Sequence, residues 1–164
     1  MRFCHFFCRR YLTIIVINGN LALISGGKVL IITREIDYAI RVLRAISDNE
    51  LHSVQNMSET EDIPCHFAYK IVKKLEKAGL LIIHRGAMGG CQLATDLSKV
   101  SLYDVFNIIG EERTIAACVS RTHNCSWRRE HDGVCTVHNH LCKIQHTIDK
   151  EMKNSFISDL LKDN

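Results

Sequence analysis

The sequence predicts a mainly α-helical fold with a small β-wing, a winged helix-turn-helix followed by a long C-terminal dimerisation helix. Three observations carry this reading. Apolar residues recur at helical spacing around residues 36–46, 67–75 and 141–152. A glycine-rich run, Arg85-Gly86-Ala87-Met88-Gly89-Gly90, separates two short β-prone segments. The order helix, short helix, turn, helix and hairpin is that of a winged helix-turn-helix, in which the second helix of the pair reads the major groove.

Composition sets the outer limits. The 164 residues are 46% hydrophobic and 24% charged with one proline, which suits one globular domain or a small domain with an appendage. A net charge of +3 does not announce a nucleic-acid binder, so a local basic patch has to carry that role. Aromatic content of 7% argues against a stacking platform for single strands. Eight cysteines are many for this length, and Cys118, Cys125, Cys135 and Cys142 fall in one stretch. A secreted disulfide scaffold would need a signal peptide. Arg9 and Arg10 do precede the apolar run Leu12–Ile17, but Asn18-Gly19-Asn20 interrupts it. The run is well short of the roughly 20 residues that span a bilayer. The expectation is a cytoplasmic chain, off the membrane, with reduced cysteines available for metal.

Residues 1–29 show no helical period and no capping signal. They are compatible with a β-hairpin turning at Asn18-Gly19, or with a weak membrane anchor. The preferred expectation is a leader produced by a mis-assigned translation start. Gly26-Gly27-Lys28 can be encoded by a purine run resembling a ribosome-binding site, and Leu30 by a TTG start codon. The expected domains are this leader, a winged helix-turn-helix over residues 30–97, and a Cys/His loop with the dimerisation helix over 98–164.

From Thr33, a good N-cap followed by Glu35 in the first turn, the pattern is helical. Ile36, Ile40 and Leu43 form one apolar row, with Ala39, Val42 and Ile46 beside it. Ser53–Glu61 reads as a short polar helix with Val54 and Met57 inward. Asp62-Ile63-Pro64 is a turn, with Pro64 suited to the first helical position. The next helix runs to about Ala78 with Phe67, Ile71 and Leu75 inward, and Gly79 ends it. Leu80–His84 and Cys91–Ala94 are the strands of the wing. Ser101-Leu102-Tyr103-Asp104 resembles a capping box with Asp in place of Glu and opens a helix to about Ile109. The Cys/His loop spans Cys118–His138. The last helix aligns Leu141, Ile144, Ile148, Met152 and Phe156.

The expected reading helix exposes His66, Tyr69, Lys70, Lys73, Lys74 and Lys77. Its lysines suit phosphates, which supply most sequence-independent affinity. A lysine run alone is more often a solvated helix face; the glycine hairpin next to it shifts the balance towards DNA. Arg85, at the base of the wing, is placed to enter a minor groove and read its width. The Cys/His loop has the spacing Cys118-x6-Cys125-x9-Cys135-x2-His138. Thiolates are the usual protein ligands of iron–sulfur clusters, and a histidine can take one position and tune the potential. These intervals fit wrapping around a cluster better than a zinc knuckle with two short Cys-x2-Cys arms. The alternative is a set of separate buried thiols and surface histidines. His123, His131, His140 and His146 are read as solvent-facing, Cys142 as a further ligand candidate for which core packing on the amphipathic helix is preferred, and Cys65 as a small helix residue or incidental thiol. The sequence offers no G-x-x-x-x-G-K, no H-E-x-x-H and no convincing nucleophile–base pair, so no enzyme is expected.

Several segments together resemble one family. Ile31-Ile32-Thr33-Arg34-Glu35-Ile36-Asp37-Tyr38-Ala39-Ile40-Arg41 is similar to the opening of the Rrf2 family of bacterial transcriptional regulators, which includes IscR-, NsrR- and CymR-like proteins. Ile63-Pro64…Phe67-Ala68-Tyr69-Lys70-Ile71…Leu75-Glu76-Lys77-Ala78-Gly79-Leu80 is similar to its recognition helix. Arg85-Gly86…Gly89-Gly90…Leu93-Ala94 is similar to its wing. The resemblance runs from about Leu30, where family members begin with Met, to the C-terminus. It implies base contacts from His66, Tyr69 and Lys70 and a minor-groove contact from Arg85. It also implies an iron–sulfur cluster on Cys118, Cys125, Cys135 and His138, with Asp37 of the partner subunit as the competing fourth ligand. The first two cysteine intervals differ from those of IscR-like proteins, so the resemblance does not carry the cluster type; 2Fe–2S is expected over 4Fe–4S. Cys91 departs from the tyrosine or glycine expected after the paired glycines.

The function expected is a sequence-specific regulator, a repressor, that binds a pseudo-palindromic double-stranded operator as a homodimer and senses iron–sulfur, redox or nitric-oxide status. One competing reading is a cluster-free regulator using zinc or thiol oxidation. Another, of a different class, is a small iron–sulfur electron carrier or enzyme subunit.

Overall fold

The computed structural model describes residues 12–17, 20–25, 32–86, 89–110, 114–120 and 122–162. The chain divides into two compact units, residues 1–30 and 31–164. In the first, β1 (Leu12–Ile17) pairs antiparallel with β2 (Asn20–Ser25), Leu12 opposite Ser25 and Ile17 opposite Asn20. This is the hairpin reading of that stretch. The residues around the expected start at Leu30, and the wing-tip residues Ala87 and Met88, lie outside the described residues.

The second unit is built on helices whose sequence signals are used as expected. Thr33 caps α1 (Arg34–Ala45), its hydroxyl accepting from Ile36 N at 3.4 Å. Both apolar rows of this helix turn inward, and Ile36, Ala39, Val42, Leu43 and Ile46 are fully buried. Ser53 caps α2 (Val54–Thr60), which buries Met57. The recognition-type helix α3 (Cys65–Lys77) starts one residue later than expected, with Pro64 as the N-cap. Proline brings a fixed φ but no side-chain cap, and its carbonyl accepts from Phe67 and Ala68 N–H. Ala68, Ile71, Val72 and Leu75 of α3 close the core against α1 and α2, with Phe67 half-buried beside them. Gly79, at φ +77°, follows the C-terminus in the left-handed conformation that glycine adopts without strain.

The wing is β3 (Leu81–His84) against β4 (Gly90–Leu93), Leu81 opposite Leu93 and His84 opposite Gly90. The free edge of β4 is covered. Cys91 exchanges both backbone hydrogen bonds with His52, at 3.0 and 2.8 Å, so the residue before α2 acts as a third strand position. Cys91 is fully buried, its sulfur 3.8 Å from Met57 Sδ. A residue that departs from the expected wing pattern therefore serves as the pin between wing and α2.

Ser101 and Asp104 form the anticipated capping box of α4 (Leu102–Ile109). The segment after it holds more structure than a loop: a 3-10 turn at Ala117–Val119 and a short helix, α5 (Ser126–Glu130). The long helix α6 runs over Thr136–Asn154. Phe156 does not continue its face, contrary to expectation. The helix stops at Asn154, and Phe156 bridges to Ser101 while Ile157 N donates to Val100 O at 2.8 Å. Pairing with the stretch before α4 satisfies backbone groups that another helical turn would leave facing that stretch. The short helix α7 (Ile157–Leu160) follows, with Ile157 fully buried. Among the described residues no helix is long and apolar enough to cross a membrane.

Candidate nucleic-acid interface and Cys/His segment

The face of α3 opposite the core carries His66, Tyr69, Lys70, Lys73 and Lys77, all exposed. Tyr69 leaves 51% of its surface open, so its ring and hydroxyl are both available to a partner on this face. The head of the helix is stiffened from beneath. Phe67 lies against the His66 ring at 4.4 Å between centroids and against Tyr38 of α1 at 5.7 Å. Arg85 is exposed directly after β3, at the wing base.

The lysines of α3 are not equivalent. Lys73 and Lys77 are exposed. Lys70 pairs with Glu35 Oε1, and Lys74 with Glu35 Oε2 at 3.1 Å. Lys74 Nζ also donates to the carbonyl oxygen of Ile109, in the last turn of α4, at 2.6 Å. Glu35 thus faces two lysines from the first turn of α1. The hydrogen bond from Lys70 leads in holding its carboxyl below the ordinary 4.5, with Lys74 adding to it against the opposing cost of burial. From the sequence, Glu35 was visible only as a first-turn acid; its partners stand 35 and 39 positions away.

In the Cys/His segment, Cys118 sits in the 3-10 turn, Cys125 is the N-cap residue of α5 and Cys135 that of α6. All three are half-buried free thiols. Cys135 Sγ accepts from His138 N at 3.4 Å. The His138 ring meets Cys142 Sγ at 3.4 Å from Nε2, and Arg128 Nη1 at 3.2 Å from the same nitrogen. Cys142, expected to pack in the core, is a half-buried neighbour of this imidazole; its i, i+4 relation to His138 was the signal available. Asp37 pairs with Arg41 at 3.0 Å on the same helix. The segment is anchored to α6 where Ile115 N donates to Gln145 Oε1 at 2.9 Å.

Cys135, His138 and Cys142 thus neighbour one another along the start of α6. Among the described residues, however, no three His, Cys, Asp or Glu side chains gather into a group that could hold a metal ion. In kind the donors suit iron–sulfur or zinc, being thiols with an imidazole. In position Cys118, Cys125, Cys135 and His138 are not assembled.

The model of the Rrf2 family, described as an iron-dependent transcriptional regulator, matches residues 32–163. The chain belongs to the Rrf2 family. A relative from Aquifex aeolicus (strain VF5), assigned by name to the HTH-type transcriptional regulators, is 26% identical over 134 residues, covering 80% of this chain and 92% of that protein. Two solved structures share the fold. CymR, the global cysteine regulator of B. subtilis, is 16% identical with a TM-score of 0.58, covering 79% of this chain and 95% of that one. IscR of T. potens is 19% identical with a TM-score of 0.56, covering 83% and 87%. As an Rrf2 protein the chain is a DNA-binding transcriptional regulator and not an enzyme, which sets aside the electron-carrier reading. The winged helix anticipated from the sequence is the fold of these regulators.

Proposed function

We propose that this Rrf2 protein is a cytoplasmic repressor that binds a pseudo-palindromic operator as a homodimer and senses iron–sulfur, redox or nitric-oxide status through its Cys/His segment. The observation carrying the DNA half is the open row His66, Tyr69, Lys70 and Lys73 on α3, beside the wing-base Arg85. In this reading His66, Tyr69 and Lys70 meet base edges, Lys73 meets phosphate and Arg85 enters the minor groove. The second copy docks on α6, where Val137 and Ile144 are 64% and 50% exposed in the single chain and Leu141 and Ile148 adjoin them. Two reading helices related by a two-fold axis then stand about 34 Å apart, one turn of the duplex.

The sensing half rests on the spacing of Cys118, Cys125, Cys135 and His138, on the family resemblance, and on the three cysteines being half-buried free thiols. A cluster held there supplies a centre that oxygen or nitric oxide alters. Holding one requires the segment from Thr114 to Cys135 to draw its three thiols together. That segment is tied at one end by Ile115 to Gln145 and at the other by Cys135 at the head of α6. A change in its arrangement is therefore delivered to the dimerisation helix. Anaerobic purification with iron and sulfide analysis tests this. Visible absorbance lost in Cys125→Ala, with the fold intact, supports the assignment; an unchanged spectrum moves the site elsewhere. The separation of the donors favours one second reading, a regulator that works by thiol oxidation without a metal. A colourless, metal-free protein whose operator affinity changes on oxidation would establish it, and one zinc per chain would instead assign the donors to zinc.

The DNA half is tested by anisotropy titrations at several salt concentrations. Lys73→Ala is expected to weaken binding to operator and random duplex alike and to reduce the slope of log K against log salt by about one. Tyr69→Ala is expected to lower operator preference while leaving the slope. Equal loss on both duplexes for Tyr69→Ala would remove it from the base-reading set.

A further inference from the structure

Glu35 is the one described acid that meets α3 lysines from another helix. It lies in the first turn of α1, where the helix N-terminus favours an anion. Its side chain is only 20% exposed, so the position is set by packing rather than by a free search of solvent. Lys74 is 29% exposed and has a second partner, the Ile109 carbonyl at the C-terminal end of α4, where a cation is favoured. Lys70 is 52% exposed and has Glu35 alone among the partners seen. The two lysines therefore differ in kind. Lys74 is committed to protein on both sides, whereas Lys70 is held by one carboxylate from which it can be drawn away.

We propose that Glu35 is a specificity-determining residue of the DNA interface: it competes with phosphate for Lys70, and it holds Lys74 as a strut between the reading helix and α4 rather than as a DNA contact. The inference rests on the DNA-binding reading and refines it. A random duplex offers Lys70 only a phosphate, and breaking the Glu35 pair offsets much of that gain. An operator that fits the His66 and Tyr69 surface supplies enough additional contact to release Lys70. Sequence-independent affinity is thereby restrained more than specific affinity, at a site that touches no base. The Lys74 strut has a second consequence. The last turn of α4 lies just before the Cys/His segment and α4 packs on α6, so the angle of the reading helix is tied to the element next to that segment.

The test is the salt dependence of binding to operator and to random duplex, using the full chain. Glu35→Gln is expected to tighten random-duplex binding about tenfold at low salt. It should steepen the slope of log K against log salt by about one, as one more lysine replaces a counterion, and so reduce the operator-to-random ratio. Glu76→Gln makes the same charge change on α3 itself and is expected to have the smaller effect. Lys74→Met is expected to keep the wild-type slope and to lower the melting temperature. Three outcomes overturn the proposal: a Glu35→Gln slope equal to wild type, a Glu76→Gln effect as large as that of Glu35→Gln, or a slope reduced by about one in Lys74→Met. Wild-type protein that shows no duplex preference would instead remove the DNA reading on which the proposal stands.

Discussion

Burial decides what each thiol can do, and among the described residues Cys91 and Cys65 mark the extremes. Cys91 has no exposed surface, and its sulfur lies 3.7 Å from the His52 carbonyl and 3.8 Å from Met57 Sδ. Burial pushes its thiol up to about 11, from an ordinary 9.0. The neutral form is the one the fold favours, so this contribution to stability is complete below 9.0 and declines as pH rises towards about 11. Thiolate is the nucleophile, so alkylation at pH 8 should reach exposed Cys65 quickly and leave Cys91 unmodified until the protein unfolds. Peptide mass spectrometry after timed iodoacetamide exposure reads both rates; early labelling of Cys91 would contradict its burial. Glu35 works in the opposite sense. Its carboxyl is held low, so the stabilisation from Lys70 and Lys74 is present above 4.5 and lost as pH falls through the lowered value. Wild type and Glu35→Gln should differ in melting temperature at neutral pH and converge in acid.

At the scale of elements, the wing depends on a close approach of backbones. A Cβ on Gly90 would stand 2.4 Å from the His52 carbonyl oxygen and 2.8 Å from its carbon, both backbone atoms that cannot turn aside. Gly90→Ala should therefore part β4 from His52. It should cost about 1–3 kcal/mol, the usual range for overpacking, and weaken DNA binding with it. Differential scanning calorimetry and anisotropy measure the two effects. A variant with unchanged melting temperature would mean that the strand yields without cost. The same element shows what a sequence discloses. The glycine run and its β-prone flanks announced a hairpin, because turn chemistry is local. The periods of α1 and α3 and the Ser101–Asp104 box were legible for the same reason. The His52–Cys91 pairing was not, because it joins positions 39 apart and follows from how α2 packs under the wing. The helix α5 has five residues and no apolar period, so nothing in Ser126–Glu130 distinguished it from loop. The end of α6 was misjudged because Phe156 sits at helical spacing from Met152, and only the tertiary partner Ser101 takes it out of the helix. In the Cys/His segment the residue types and intervals were legible, while the neighbours of His138, namely Cys142 and Arg128, came from the fold.

The whole molecule, as proposed, is a pair. A regulator that reads two half-sites must hold two α3 helices at a fixed separation, and the elements that position α3 within one chain, α1, α2, α4 and β3, do not set its distance from a second copy. The long helix α6 is the element able to set that separation. It buries Gln145 and Met152 inward against its own subunit while leaving Val137 and Ile144 open, and a helix apolar on a second face has a second surface to cover. The arrangement also explains how a small event in the Cys/His segment can matter. To invert occupancy from 1:99 to 99:1, one arrangement of the pair must gain about 5.5 kcal/mol over the other. A shift at a two-fold interface acts on both subunits at once. Ile144→Asp tests the interface without touching the core, since the residue is half exposed in the single chain. Sedimentation equilibrium is expected to give a monomer with unchanged helical content. Half-site affinity should be retained, and the affinity for a full operator should fall to that of one half-site. A dimer that persists in Ile144→Asp and in the double variant Val137→Asp/Ile144→Asp would place the two-fold axis elsewhere, and the 34 Å spacing of the reading helices would have to be sought from another element.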